Sequence, residues 1–433
     1  MKKVRIGVMG AYRGTSMINF CKRADNAEFV AICDKSLEAL DMQRKNTEGL
    51  SITFYDNFDA FIQHDMDAVV LANYANEHAP FAIQALKHGK HVFSEVLPVQ
   101  NMKEAVELIE TVEETGLVYA YGENYCYMAA PYEMKKLYRE GKIGEFEYGE
   151  GEYIHNCESI WPSITYGEED HWRNNMYANF YCTHSLGPLI HITGLRPVSV
   201  VGFEGTQNQR KLRVGAKGGL FGIEMVTLEN GGIIKSIHGD LYRNSVWYAV
   251  YGAKGRMESA REDAMNGGTD TLYVNYDVAS GDYENGTYEC LHPKHEELKD
   301  TKGYGHGGSD FYSMYYFVEK IRGNKDADII DVYEALDMFL PGLFAYRSVL
   351  NGGIPMEIPN LRDKKMRDLW RNDVACTDPK AAGDQLLPTF SQGTPKIDGH
   401  VYEHMKELWR QECLKKEGTY REAAFRQGSK EEE

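Results

Sequence analysis

Between residues 3 and 123, short apolar runs alternate with helix-period segments, and few architectures accept that pattern. "KVRIGVM" ends at Gly10 as a buried strand would, and "TSMINFCKRA" follows with helical spacing. "EFVAICD" ends at Asp34 and leads into the helical "SLEALDMQRKN". "DAVVLAN" and "KHVFSE" flank a helix, "HAPFAIQALKHG", that stops at Gly89. "NMKEAVELIETVEETG" carries apolar residues at 105, 106, 108, 109 and 112, stops at Gly116, and gives way to "LVYAYGE". Strict alternation of this kind predicts an α/β domain over residues 1–122, with a doubly wound parallel sheet covered by helices on both faces.

After Glu123 the texture changes. "EFEYGEGEYIHN" alternates with period two, and several such runs separated by glycine-rich turns lie between residues 198 and 290. They predict an α+β domain over 123–360 whose large, mainly antiparallel sheet has one open face. The chain becomes helical again from 309. The polar segment 361–433 reads as an extension that packs on the domains through one amphipathic helix, with its last residues disordered.

A net charge of −17 and a pI near 5.4 argue against a nucleic-acid-binding face. No run of about 18 apolar residues occurs, so no membrane span is expected. The opening "MKKVRIGVMGAY" lacks the apolar core and cleavage site of a signal peptide. The eight cysteines are scattered without a C-x-x-C, as expected of reduced thiols in a cytoplasmic protein. Tyrosine is frequent, at 29 residues. It suits either a carbohydrate cleft, where a flat ring stacks on a sugar, or half-buried sheet positions.

Gly7, Gly10 and Gly14 lie in a turn between the first strand and the first helix. Backbone N–H groups there can take a pyrophosphate, aided by the positive end of the helix. The usual G-x-G-x-x-G is altered to "GAYRG" after Met9, but Asp34 stands 20 residues beyond Gly14, at the end of the second strand. A carboxylate at that place accepts the adenosine ribose hydroxyls and repels a 2′-phosphate, so NAD is favoured over NADP despite Lys35. The alternative is an α/β domain with a vestigial site.

"DAVVLANYANEHAPFAIQALKHGKHVFSEVLP" resembles the glucose-fructose oxidoreductase, inositol dehydrogenase and MocA family, with His78, Ala82, Ala85, Leu86, Gly89, Lys90, His91, Val92 and Glu95 fitting its motif. "ENYCYMAAPYEMKKLYREGKIGEFEYGEGEY" continues the match. The resemblance implies a Rossmann domain, an open-sheet domain and a substrate held between them. It also implies cofactor contacts from Gly10, Tyr12, Arg13, Gly14, Asp34, Asn73, His78, Glu95 and Asn124. Two departures stand out: Val96 replaces the family's E-K-P lysine, and Phe180 replaces the aspartate of its D-x-x-x-H motif, while His184 remains.

The altered set, "SEVLP" with "NFYCTHSLGP", is similar to a branch of NAD-dependent glycoside hydrolases of the bacterial α-N-acetylgalactosaminidase type, glycoside hydrolase family 109. That resemblance implies redox-neutral cleavage: oxidation at sugar C3, loss of the C2 proton, elimination at C1, water addition and re-reduction. Carried over by position, Glu123, Tyr153, Tyr181 and His184 are the catalytic residues. His184 would serve the C3 hydroxyl, and Tyr181 or Tyr153 the C2 proton. A tyrosine in that role needs its pKa lowered from near 10 by NAD⁺ or a neighbouring cation. A sugar or glycoside 3-dehydrogenase and a non-catalytic NAD-binding sensor remain as alternatives. A homo-oligomer, dimer or tetramer, is implied by resemblance only.

Further along, "DHWRNNM" offers Trp172 and Arg173 as a stacking surface and a cation for substrate, and "GYGHGG" offers Tyr304 and His306. Ser309 or Asp310 is the expected cap of the helix that follows. His191 is expected to be packing. "HPKH" at 292–295 has too few companions for a metal. The acidic pair at 168–170 lacks the opposed geometry of a two-carboxylate glycosidase.

Overall fold

The computed structural model describes residues 2–266, 269–276, 286–294 and 304–417. Its first sheet consists of β1 (Val4–Met9), β2 (Ala27–Cys33), β3 (Thr53–Tyr55), β4 (Ala68–Leu71), β5 (His91–Ser94) and β6 (Tyr119–Tyr121). They run parallel in the order β3-β2-β1-β4-β5-β6. Helices cover both faces, so Ile6, Val8, Val69, Val70 and Phe93 are fully buried and their runs are continuously apolar. Each such side chain contributes about 1.5–3 kcal/mol of burial. The strand β3 escapes a sequence reading because it has only three residues at a sheet edge. Strand order reverses between β1 and β4, which opens a crevice at their carboxyl ends.

The second sheet has nine strands: β7 (Phe146–Ile154), β8 (Pro197–Glu204), β9 (Phe221–Leu228), β10 (Ile233–Gly239), β11 (Ser245–Gly252), β12 (Gly255–Ser259), β13 (Leu272–Tyr276), β14 (Thr287–Leu291) and β15 (Met356–Glu357). Their order is β14-β13-β12-β11-β7-β10-β9-β8-β15. Every pairing is antiparallel except β7 with β10. Helices Thr183–Thr193 and Val332–Leu350 pack on one face. The other face is open, with Tyr148 beside Tyr251, Lys235 paired to Glu150, and Phe203 and Ile233 exposed.

The helix Ser309–Ile321, expected within the second domain, packs instead on the first. Met314, Phe317 and Val318 share a core with Phe20 and Phe93. Its cap is Gly308 at φ +100° rather than Ser309 or Asp310, which leaves Asp310 in the first turn free to face inward. The segment beyond 360 lies across both domains. Arg367 and Arg371 pair with Glu113 and Glu110 of the helix Met102–Thr115. Tyr402 and Met405, on the helix Gly399–Glu417, are buried, and Met405 shares a small core with Trp161, Val214 and Ala216. The expected terminal disorder falls on residues 418–433, outside the described residues. Among the described residues no helix is long and apolar enough to cross a membrane.

Candidate active site

The turn Asn124–Tyr127 after β6 touches both the helix Thr183–Thr193 and the helix Ser309–Ile321, so three distant segments meet at one place. Glu123 enters from the end of β6, fully buried, and His184 from the first turn of its helix, 6% exposed. His184 Nδ1 lies 2.6 Å from Glu123 Oε1. The Tyr125 N–H also donates to that oxygen, while Glu123 Oε2 has no partner among the described residues. The Tyr248 hydroxyl donates to the His184 carbonyl and fixes the start of the helix.

Strand β7 supplies the next wall. Period two puts Gly149, Gly151 and Tyr153 on the helix-facing side. A Cβ on Gly151 would stand 1.8 Å from the Ser185 carbonyl oxygen, so only glycine lets the helix start approach the strand. That approach leaves Tyr153 4.7 Å from the His184 ring between centroids, with Tyr125 at 4.4 Å and Tyr181 at 5.1 Å. The Tyr153 hydroxyl is 3.0 Å from His155 Nδ1. Trp172 stacks on Tyr181, and the Arg173 guanidinium lies over both rings. Burial pushes the Tyr153, Tyr125 and Tyr181 phenols up. At Tyr181 the Arg173 cation opposes that rise.

Phe180 is buried against Tyr177, Trp172 and Phe339, and Val96 is buried beside Leu97, so apolar side chains stand where the resembled dehydrogenases carry an acid and a lysine. His191 is tied to Glu334 at 2.6 Å and to Lys135 at 2.5 Å, a packed and hydrogen-bonded residue remote from this group. Of "HPKH", His295 lies outside the described residues, and no cluster suited to a metal occurs among the described ones.

The cofactor turn follows β1. Gly10 has φ +96°, and a Cβ there would meet the Ala72 backbone at 2.3 Å, so the turn sits tightly against the end of β4. Asp34 accepts the Ala11 N–H on one oxygen, at 2.6 Å, and the Ser36 N–H on the other, at 2.8 Å. Both oxygens keep lone pairs for ribose hydroxyls. The amide groups of Asn73 and Asn124 donate to Glu77 and Asp310, while their buried Oδ1 atoms lack a partner among the described residues. A rigid carboxylate at the end of β2 and two unsatisfied carboxamide oxygens near the ends of β4 and β6 fit a dinucleotide.

Three residues expected at the cofactor also have partners within the protein. Arg13 does not reach out from the turn: its guanidinium meets both Asp310 oxygens, at 2.8 and 2.9 Å, and Glu95 Oε1 at 2.7 Å. Burial raises the Glu95 carboxyl, and the Arg13 cation opposes that rise. His78 is buried, with Nδ1 on the Leu97 carbonyl and Nε2 without a partner among the described residues, and burial lowers it to about 4, so it is neutral. Asp310 Oδ1 also meets Asn124 Nδ2 at 2.9 Å and His306 Nδ1 at 3.2 Å. Burial alone would raise the Asp310 carboxyl, but Arg13 and His306 hold it well below the usual range. His306 reaches the phenol group through Tyr125, at 5.9 Å. Tyr304 does not: it packs against Phe311 and under Arg23, on the core of the first domain.

Sequence reasoning thus missed Tyr125, His155 and the convergence on Asp310. Tyr125 had a signal, two residues after Glu123 in "ENY". Nothing local marks a partner for Asp310, which is 297 residues from Arg13.

Two family models match parts of the chain. The model of the GFO_IDH_MocA oxidoreductase family, NAD-binding Rossmann fold, matches residues 4–123, and that of the glycosyl hydrolase 109 C-terminal domain matches residues 208–368. A glycosyl hydrolase family 109 protein of Solibacter usitatus is 28% identical over 82% of this chain and 88% of its own length. Another, from Phocaeicola vulgatus, is 27% identical over 82% and 83%. In structure, the scyllo-inositol dehydrogenase of Lactobacillus casei with bound NAD(H) and scyllo-inositol superposes with a TM-score of 0.63 at 18% identity, covering 84% of this chain and all of that one. The chain thus joins an NAD-binding Rossmann domain of the Gfo/Idh/MocA oxidoreductase type to a C-terminal domain of the glycosyl hydrolase 109 type.

Proposed function

We propose that the protein is an NAD-dependent glycoside hydrolase whose reaction is redox-neutral overall. The observation that carries this reading is the buried His184–Glu123 pair ringed by Tyr125, Tyr153 and Tyr181, with no lysine at 96 and no aspartate at 180. The relatives' names, glycosyl hydrolase family 109 proteins, point the same way.

When bound, NAD supplies a reversible hydride acceptor for sugar C3. His184 takes the proton of the C3 hydroxyl, and Glu123 holds the imidazole in place and stabilises its charge. The resulting ketone acidifies the C2–H, and Tyr181 takes that proton as a phenolate, Arg173 countering only part of the rise that burial imposes on this phenol. The C2–H electrons form a C1–C2 double bond as the bond from C1 to the leaving group breaks, and the departing oxygen takes a proton from the medium, to which Tyr181 gives up the one it removed. Water then adds across the double bond, with hydroxyl to C1 and a proton to C2. His184 returns its proton to the C3 oxygen as the hydride comes back. Tyr153, tied to His155, is the second phenol of the cleft, and Trp172 offers the sugar an apolar face.

The test is a panel of nitrophenyl glycosides given to the purified enzyme without added cofactor. Phenol release without accumulating absorbance at 340 nm, and solvent deuterium at C2 of the product, are the expected results. Stoichiometric absorbance at 340 nm without phenol would replace this reading by a sugar 3-dehydrogenase, for which the His184–Glu123 pair alone would suffice. Neither signal on any glycoside would leave an NAD-binding sensor.

We also propose pairing of copies through the open sheet face, as a dimer or tetramer, supported by exposed Ile233 beside Tyr148 and by exposed Phe203 three strands from β7 on the same sheet. A reducing, cytoplasmic setting is supported by the eight unpaired cysteines. Sedimentation analysis tests the first point, and labelling of unreduced protein from cells tests the second.

A further inference from the structure

We infer that Tyr166, from outside the Rossmann domain, caps the adenosine end of the cofactor groove, and that the C-terminal helix holds this cap closed so that NAD stays bound between turnovers. The inference rests on dinucleotide binding by the first domain and not on which reaction follows.

The starting point is a strained backbone. Tyr166 has φ +56°, in the left-handed region that a large side chain avoids at a cost of about 1 kcal/mol or more. Such a conformation persists only where the surroundings impose it, and they do so here from two sides. Gly167 follows at φ +69°, and a Cβ on it would fall 2.4 Å from the Lys406 backbone nitrogen, so the C-terminal helix lies directly on the turn. One helical turn later, the Trp409 ring meets the Tyr166 ring edge-on, with centroids 5.5 Å apart. The helix is anchored independently of the groove, by Met405 in its small core and by the Tyr402 hydroxyl on the Gly215 carbonyl.

The strained residue projects over the phosphate-binding turn. Its ring lies 6.2 Å from that of Tyr12, which sits between Gly10 and Gly14, and 6.4 Å from that of Tyr74, in the loop after β4. Tyr12 and Tyr74 belong to the two loops that flank the topological switch point, where a dinucleotide enters. The Asp34 carboxylate adds to the effect of burial in raising the Tyr166 phenol, so the phenol stands in the field of the group that takes the ribose hydroxyls. Tyr166 therefore joins the two lips of the groove near Asp34, and the cofactor cannot leave past it without moving the turn that Trp409 and Lys406 hold.

A redox-neutral cycle gains from such a cap, because the hydride taken from one sugar must return to the same one. The cap does not depend on that cycle, however, and is testable on cofactor alone. Holoenzyme is loaded with NADH, and its release is followed by fluorescence after a chase of excess NAD⁺. Tyr166→Gly deletes the ring while relieving the left-handed strain, so the fold is kept. Trp409→Ala loosens the support, and Tyr166→Phe retains the ring. Losing one ring contact of about 1.4 kcal/mol corresponds to a roughly tenfold faster release. That acceleration is expected of Tyr166→Gly and Trp409→Ala, with Tyr166→Phe within about twofold of wild type. Wild-type release from both Tyr166→Gly and Trp409→Ala, or a lower melting temperature of the apoprotein with release unchanged, would overturn the cap. Because no sugar is present, failure here is separate from failure of the glycosidase reading.

Discussion

His184 Nδ1 and Glu123 Oε1 stand 2.6 Å apart, and both side chains are buried. They come from the first turn of a helix and the end of a parallel strand, 61 residues apart. An imidazole so held has one nitrogen committed to the carboxylate and the other available to a hydroxyl. His184→Ala should lower turnover by about 10²- to 10⁴-fold, the usual worth of a positioned acid–base group. Glu123→Gln should keep the contact but lose the charge, lowering kcat more than it raises KM. Steady-state kinetics on a cleaved nitrophenyl glycoside decides both, and wild-type turnover from His184→Ala would remove that residue from the mechanism.

Proton removal at C2 is separable from hydride transfer. In Tyr181→Phe, exchange of solvent deuterium into C2 should vanish, whereas in Tyr153→Phe it should persist. NMR of the recovered sugar reads the difference. The reverse pattern would move the base to the Tyr153–His155 pair, whose oxygen–nitrogen distance is 3.0 Å.

Buried Asp310 joins buried Asn124 to the partly exposed Arg13 and the exposed His306. Asp310→Asn leaves the partly exposed Arg13 with Glu95 alone, and the weakened charged hydrogen bonds should cost about 1–3 kcal/mol. Its depressed carboxyl also sets a pH dependence. The native-state pKa lies below the unfolded value of about 3.9, so its stabilisation is present above that pH and is lost as pH falls towards the native value. Thermal melts should therefore show a large gap between wild type and Asp310→Asn at pH 7 that narrows below about pH 4. A gap independent of pH would assign the loss to packing.

Asp34 decides the cofactor. With both oxygens fixed by the Ala11 and Ser36 N–H groups, it meets a ribose diol well and a 2′-phosphate badly. Asp34→Ala should weaken NAD binding by about tenfold, the value of roughly 1.4 kcal/mol of lost hydrogen bonding, and should narrow the preference over NADP. Titration of intrinsic fluorescence with each cofactor measures both.

Local signals explain what was legible beforehand. The β–α alternation, the stop glycines, the turn from Gly10 to Gly14 and the placement of Asp34 depend on neighbours within about 20 residues, and the chain spells them out in period and spacing. "NFYCTHSLGP" likewise put Tyr181 and His184 three residues apart, and the folded turn keeps their rings together. Convergence was not legible, because it is made by topology. Tyr304 and His306 are two residues apart, yet one packs on the core of the first domain and the other turns towards Asp310. Tyrosine content left cleft and half-buried sheet positions equally open, and both occur: Tyr153 and Tyr181 face His184, while Tyr148 and Tyr251 are half-buried on the open sheet face. Arg13 lies in the expected turn, but its charge is spent on two carboxylates from distant segments. Tyr166 carries no motif, and only the C-terminal helix, more than 200 residues on, makes it part of the groove. Sequence by itself determined the two-layer plan and the kind of cofactor, since periodicity and turn chemistry act locally. Tertiary structure alone decided which polar groups face one another, since burial pairs charges by proximity in space and not along the chain.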